Sequence, residues 1–286
     1  LSLFVVVGTA VSNEYNETIA RDMLMPLASA AYASDPKMCL NNVLDGSQLI
    51  RRFEAPCDFT GKNTCSGYTW IDETRRMIGL VFRGTSSDEQ FEALLPSILS
   101  AKPRKFHNGG QVVQYFNDAF FALWINTELG NVVHEMCRNY PDFDFYITGH
   151  SLGGALAAIA STYIISSGVH PSNKVILYTF GQPRIGDAQF TRHLGTSAVY
   201  RIVHGKDMAP HFPFQSTGYQ HHGTEVFYEN DMTSGAPFVI CKGGEDPKCS
   251  DKFHVLETNF GEDHSHYFGE HILAFGKMGC KKISKP

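Results

Sequence analysis

The chain has 286 residues, a formal net charge of −5, and 43% hydrophobic residues. That is enough apolar material for the core of one large α/β domain or two small ones. The acidic balance, with no basic stripe, argues against nucleic acid as a partner and against anionic membrane surfaces, but leaves a neutral lipid surface open.

Residues 1–12 carry an apolar run and then small residues, with Ala10 and Ser12 suited to the positions before a cut. They read as the end of a signal peptide, against the alternative of a buried N-terminal strand. Residues 13–286 then form a single domain. No apolar run is long enough to span a bilayer. Asn16-Glu17-Thr18 is a glycosylation sequon. Residues 19–32 show helical spacing, and 68–72 and 77–82 read as strands joined by the polar turn Glu73-Thr74-Arg75.

Residues 86–101 place Phe91, Leu94, Leu95, Ile98 and Leu99 on one helical face, with Asp88, Glu89 and Glu92 toward the start. That is a short amphipathic helix, interrupted at Pro96. Residues 111–140 carry a long helical pattern that ends before Pro141. A strand at 143–148 leads into Gly149-His150-Ser151-Leu152-Gly153, and a helix follows to about Gly168, with Pro171 beyond. Residues 174–180, 198–204, 225–228 and 238–241 are further strands. Strands alternating with helices imply a mostly parallel central sheet with helices on both faces.

The pentapeptide at 149–153 carries the chemistry. A strand that turns sharply into a helix presents one serine hydroxyl at the top of a sheet, and the glycines two positions either side leave room where strand and helix crowd. Ser151 is the candidate nucleophile. A serine hydroxyl needs a base, and the base needs an acid to orient it. In this architecture they follow in the order serine, acid, histidine. Asp207 is favoured as the acid because it lies just past the strand at 198–204, where sites sit in open α/β sheets. For the base, His254, His264, His266 and His271 compete, and spacing does not separate them.

Seven cysteines include no C-x-x-C pair, which argues against zinc and thioredoxin chemistry. Cys57/Cys65 and Cys241/Cys249 are each eight apart in polar loops and suit small disulfides; Cys39 and Cys280 lie near the two ends and suit a tie between them. Cys137 is left unpaired as a small hydrophobe. Three disulfides imply an oxidising compartment. The doublet His221-His222 suggests a metal site, but Glu225 belongs to a strand-like run, so a surface or packing role is preferred.

Five segments in order resemble one family: Val81-Phe82-Arg83-Gly84-Thr85, the elbow within residues 148–157, Tyr178-Thr179-Phe180-Gly181-Gln182-Pro183-Arg184 through Asp187, Tyr200-Arg201-Ile202-Val203-His204 through Pro210, and Asp263-His264-Ser265-His266-Tyr267-Phe268-Gly269. Together they resemble the fungal-type class 3 triacylglycerol lipases, which are α/β-hydrolases. The resemblance runs from about residue 18 to 280. It implies Ser151 as nucleophile, Asp207 as acid and His264 as base, with His266 a neighbour. It implies an oxyanion hole from Thr85 and from the N–H of Leu152. It also implies a bridge between Cys39 and Cys280. The loops closed by Cys57/Cys65 and Cys241/Cys249 depart from the family pattern.

The resemblance further implies that residues 86–101 form a helical lid, with Phe91, Leu94, Leu95 and Ile98 facing the site or a lipid surface. The expected function is a secreted, extracellular serine lipase acting on acylglycerol esters at a lipid–water interface, with no metal or cofactor and no stable membrane insertion. The alternatives are a phospholipase A1 or a feruloyl-type esterase on the same scaffold, and a catalytically silent lipid-binding protein.

Overall fold

A computed structural model describes residues 14–57, 63–86, 98, 100, 102–192, 194 and 198–281. Its frame is an eight-stranded sheet whose spatial order follows chain order. The strands are β1 (Gln48–Pro56), β2 (Thr64–Asp72), β3 (Met77–Phe82), β4 (Asp144–His150), β5 (Val175–Phe180), β6 (Ala198–His204), β7 (Thr224–Tyr228) and β8 (Val239–Lys242). β3 to β7 run parallel. β1 and β2 extend the sheet antiparallel at one edge, and β8 does so at the other.

Alternation along the strands splits the core in two. On β3, Ile78, Leu80 and Phe82 join one apolar cluster, and Met77 and Val81 join the other. The first cluster is closed by helices α3 (Gln114–Asn126), α4 (Leu129–Asn139) and α5 (Leu152–Ser166). The second is closed by the N-terminal helical segments Ile19–Leu24 and α1 (Met25–Ala30), and by residues near the C-terminus such as Tyr267, Ile272 and Phe275. The expected mostly parallel sheet, with helices on both faces, is the one observed.

Several short elements, such as the strand Pro103–Lys105 and the helix Lys37–Val43, were not read from the sequence, and two larger ones differ from that reading. The long helix expected at 111–140 is three pieces. Gln111–Val113 is a strand of a small second sheet, and the remainder breaks between α3 and α4. At the break Thr127 turns its hydroxyl back to the Leu123 carbonyl, and Glu128 adopts a left-handed φ of 62°. Strand β1 was not anticipated. It is an edge strand on which only Phe53 and Ala55 are buried, so its apolar alternation is faint.

The three expected disulfides form: Cys39–Cys280, Cys57–Cys65 and Cys241–Cys249. Cys137 is free and buried, and burial pushes its thiol up to about 12. The first disulfide joins helix α2 (Lys37–Val43) to the far end of the chain. Among the described residues no helix is long and apolar enough to cross a membrane. The segment read as a signal peptide, and Phe91, Leu94 and Leu95 of the expected lid, lie outside the described residues. Ile98 is described and is buried in the first core cluster.

Candidate active site

Ser151 stands between β4 and α5 with φ 57° and ψ −127°. Such a conformation is strained for any residue with a Cβ and persists only where the surroundings hold it. Here the Ser151 N–H donates to the Phe180 carbonyl at 2.8 Å, and the Ser151 carbonyl receives the first helical N–H groups, from Gly154 and Ala155. The flanking glycines are sterically required. A Cβ on Gly149 would sit 2.3 Å from the Gly153 carbonyl oxygen, and one on Gly153 would sit 2.3 Å from that of Phe82.

Asp207 follows β6 and is fully buried. The backbone N–H of Met208 bonds the Asn259 carbonyl, and that of Asn259 bonds the Lys206 carbonyl, so the acid's loop is stitched to the segment leading to His264. His264 lies in a four-residue turn, Glu262–Ser265. Its Nδ1 is 2.9 Å from both carboxylate oxygens of Asp207, and its Nε2 is 3.0 Å from Ser151 Oγ. With Nδ1–H donating to the carboxylate, Nε2 of the neutral ring holds the lone pair that accepts the serine proton.

Burial opposes the charge on Asp207. The adjacent His264 and the N–H of Ala209, 2.8 Å from Oδ1, outweigh burial and hold the carboxyl below its usual range. The acid is therefore ionised at neutral pH.

The competing histidines are placed elsewhere. His254 caps a 3-10 turn through the N–H of Leu256. His266 donates Nδ1–H to the Glu262 carbonyl and packs edge-on against His271, with ring centroids 4.8 Å apart. His221 and His222 are buried by packing: His221 Nε2 donates to the Pro210 carbonyl, and His222 pairs with the Gln182 amide. Glu225 is committed to Arg201 and the Ser250 N–H.

Thr85 and Leu152 flank the serine. A Cβ on Gly84 would lie 3.2 Å from that of Ser151, so the segment that leaves β3 toward Thr85 passes directly beside the serine. Leu152 is the first residue of α5, where backbone N–H groups lack partners within the helix. Beside the base is an apolar wall. Phe260 meets His264 edge-on at 6.1 Å and stacks on Phe212, while Phe214 and Leu256 are 39% and 87% exposed. Sequence reasoning assigned none of these apolar residues, nor Tyr267, whose hydroxyl donates to Asp207. The signal for Tyr267 was its place three residues after His264.

Comparison with known proteins places the chain among lipases. The family model for lipase (class 3) matches residues 79–217. A lipase of Caenorhabditis elegans, ZK262.3, is 35% identical over 93% of this chain and 83% of its own length. The chain belongs to the class 3 lipase family. A Rhizomucor miehei lipase is 31% identical over 69% of the chain, and the match spans about half of that relative (53%). The crystal structure of a lipase from Rhizopus microsporus var. chinensis superposes with a TM-score of 0.75 at 26% identity, covering 90% of this chain and 89% of that one. As a class 3 lipase, this chain is a carboxylic ester hydrolase with an α/β-hydrolase fold.

Proposed function

We propose that this class 3 lipase is a secreted enzyme that cleaves acylglycerol esters through an acyl-enzyme on Ser151. The observation that carries the reading is the unbroken chain from Ser151 Oγ through His264 to Asp207, with 3.0 and 2.9 Å links. His264 takes the serine proton as Oγ attacks the ester carbonyl, and Asp207 orients the imidazole and balances the imidazolium. The N–H groups of Thr85 and Leu152 receive the oxyanion, each contributing about 3 kcal/mol to transition-state stabilisation. His264 then protonates the leaving alcohol, and water releases the acid by the same steps in reverse.

Lipid substrates are supported by the wall of Phe212, Phe214 and Phe260 beside the base, by the exposed Leu256 in the segment that leads to it, and by the apolar pattern of the sequence 86–101 directly after Thr85. The face so patterned, with Phe91, Leu94, Leu95 and Ile98, acts as a lid whose apolar partner is the site in water and lipid at an interface. Secretion, with residues 1–12 as the leader remnant and 13–286 as one domain, is supported by three disulfides. Glycosylation is supported by the exposure of Asn16, whose Oδ1 is occupied by the Ile19 N–H.

A hydrolysis panel of tributyrin, triolein, phosphatidylcholine and methyl ferulate, each below and above its solubility limit, tests this reading. Preference for triolein above its limit, abolished by Ser151→Ala, is the expected result. Preference for phosphatidylcholine or methyl ferulate overturns the acylglycerol assignment, and parent-level activity in Ser151→Ala overturns the nucleophile.

A further inference from the structure

Two buried histidines outside the set of Ser151, His264 and Asp207 grip the loop that carries the base. His150 ends β4 and His204 ends β6; they are 2% and 9% exposed. His150 Nε2 lies 2.7 Å from the backbone carbonyl oxygen of His264, and His204 Nδ1 lies 2.7 Å from that of His266. A carbonyl only accepts, so each of these ring nitrogens carries the hydrogen. In neutral His150 that leaves a lone pair on Nδ1. It accepts from the Tyr32 hydroxyl at 2.7 Å, and the Tyr32 oxygen accepts from the backbone N–H of Gly84. The ring of Tyr267 packs against both histidines, with centroids 5.7 and 6.1 Å away.

A buried histidine needs partners in any fold, so pairing alone argues nothing. The choice of partners is what distinguishes these two. Both rings reach the same loop, at carbonyls two residues apart, and both rise from the ends of strands in the rigid sheet. The loop has little rigidity of its own, because a four-residue turn cannot stabilise itself. At the other end, the Tyr32 link reaches the residue immediately before Thr85.

We propose that His150 and His204 are positioning residues that clamp the His264 loop, setting the imidazole over Ser151, while Tyr32 ties that setting to the backbone beside Thr85. Burial, reinforced by the nearby His264, lowers His150 to about 3. It therefore stays neutral when an imidazolium forms on His264, whose ring centroid is 4.7 Å away. The clamp rests on the reading of Ser151 as nucleophile and His264 as its base.

The test is kcat and KM on a soluble ester, p-nitrophenyl butyrate, with a thermal melt for each variant. His150→Phe and His204→Phe keep the ring and lose the donor. Each should lower kcat by roughly 10- to 100-fold with KM unchanged, the scale of a misplaced catalytic group. His150→Gln and His204→Asn return an N–H at about the lost nitrogen's position and should recover most of that loss. Tyr32→Phe should lower kcat several-fold at unchanged KM, and it carries the test if the phenylalanine variants do not melt cooperatively. The clamp is overturned if folded variants stay within twofold of the parent kcat, if only KM moves, or if the amide variants melt like the parent without recovering activity. A parent with no activity on the ester would instead sink the nucleophile assignment.

Discussion

The Tyr267 hydroxyl donates to Oδ2 of Asp207 at 3.2 Å, on a carboxylate whose two oxygens already face Nδ1 of His264. Burial and the neighbouring carboxylate push the Tyr267 phenol well above its usual value, so it remains a donor throughout the working range. A hydrogen bond to a buried charge contributes about 1.5–3 kcal/mol. Tyr267→Phe should lower the unfolding free energy measured by urea denaturation by an amount in that range and reduce kcat several-fold without changing KM. A variant with both parent stability and parent kcat would show that Asp207 is held by His264 and Ala209 alone.

Ser151 pays for its position in backbone strain. Its φ of 57° with ψ of −127° suits glycine, and a strained residue of this kind costs about 1–3 kcal/mol. Glycine's larger entropy loss on folding returns about 0.5–1 kcal/mol of that. Ser151→Gly should therefore abolish hydrolysis while raising the melting temperature by about 2 °C, the scale of 1 kcal/mol in a chain of this size. Calorimetry on the purified variant decides it. A lower melting temperature than the parent would mean that the bond to His264 outweighs the relief.

Buried histidines make stability fall on the acid side of neutrality, and three of them, His150, His221 and His222, carry the largest shifts. Burial lowers His150 to about 3, with His264 adding to the effect. Burial and the neighbouring Arg201 push His221 and His222 well below their usual value, and Arg184 adds to the effect on His221. Each folded pKa lies below the unfolded one, so the unfolded chain takes up protons first. The stability they contribute is fully present above about pH 6.5 and is lost as pH falls from there toward the folded values. At pH 5 the loss from His150 alone is about 2 kcal/mol. Asp207, lowered in the folded state, adds a loss of the same sign only at more acid pH. Urea midpoints should drop steadily from pH 7.5 to 5, and His222→Gln should make that slope shallower. A flat profile would show that these histidines are not held neutral.

What the sequence revealed and what it hid follow from how local each constraint is. The elbow was legible because Gly149 and Gly153 are demanded by contacts within the strand–turn–helix unit and the strand beside it. Asp207 was legible in part, through its place at the end of a strand. His264 was not separable from His254, His266 and His271 by spacing, because its meeting with Asp207 is made by a loop that returns from 57 residues away. Only the order of several motifs together singled it out. The break at Glu128 was hidden because the apolar period continues from α3 into α4, so the pattern is the same whether or not the backbone turns. His150 was hidden in the variable position of the elbow, and its partners Tyr32 and His264 are 118 and 114 residues distant.

The wall beside the base gives the last prediction. Phe212, stacked on Phe260, brings Phe214 to 4.9 Å between centroids, and Leu256 projects from a 3-10 turn held by a capping box of His254 and Glu257. A leucine left 87% exposed on a deliberately capped turn gains nothing from the fold. Contact with an acyl chain or a lipid surface would stabilise it by about 1.5–3 kcal/mol. Leu256→Ser and Phe214→Ser should therefore raise the apparent KM on triolein emulsion by about 10- to 100-fold each, as such a free energy implies. The same variants should keep the parent kcat and KM on p-nitrophenyl butyrate, because the proton transfer between Ser151 and His264 uses neither side chain. Equal losses on the emulsion and the soluble ester would place these residues in the folding of the loop rather than in contact with lipid.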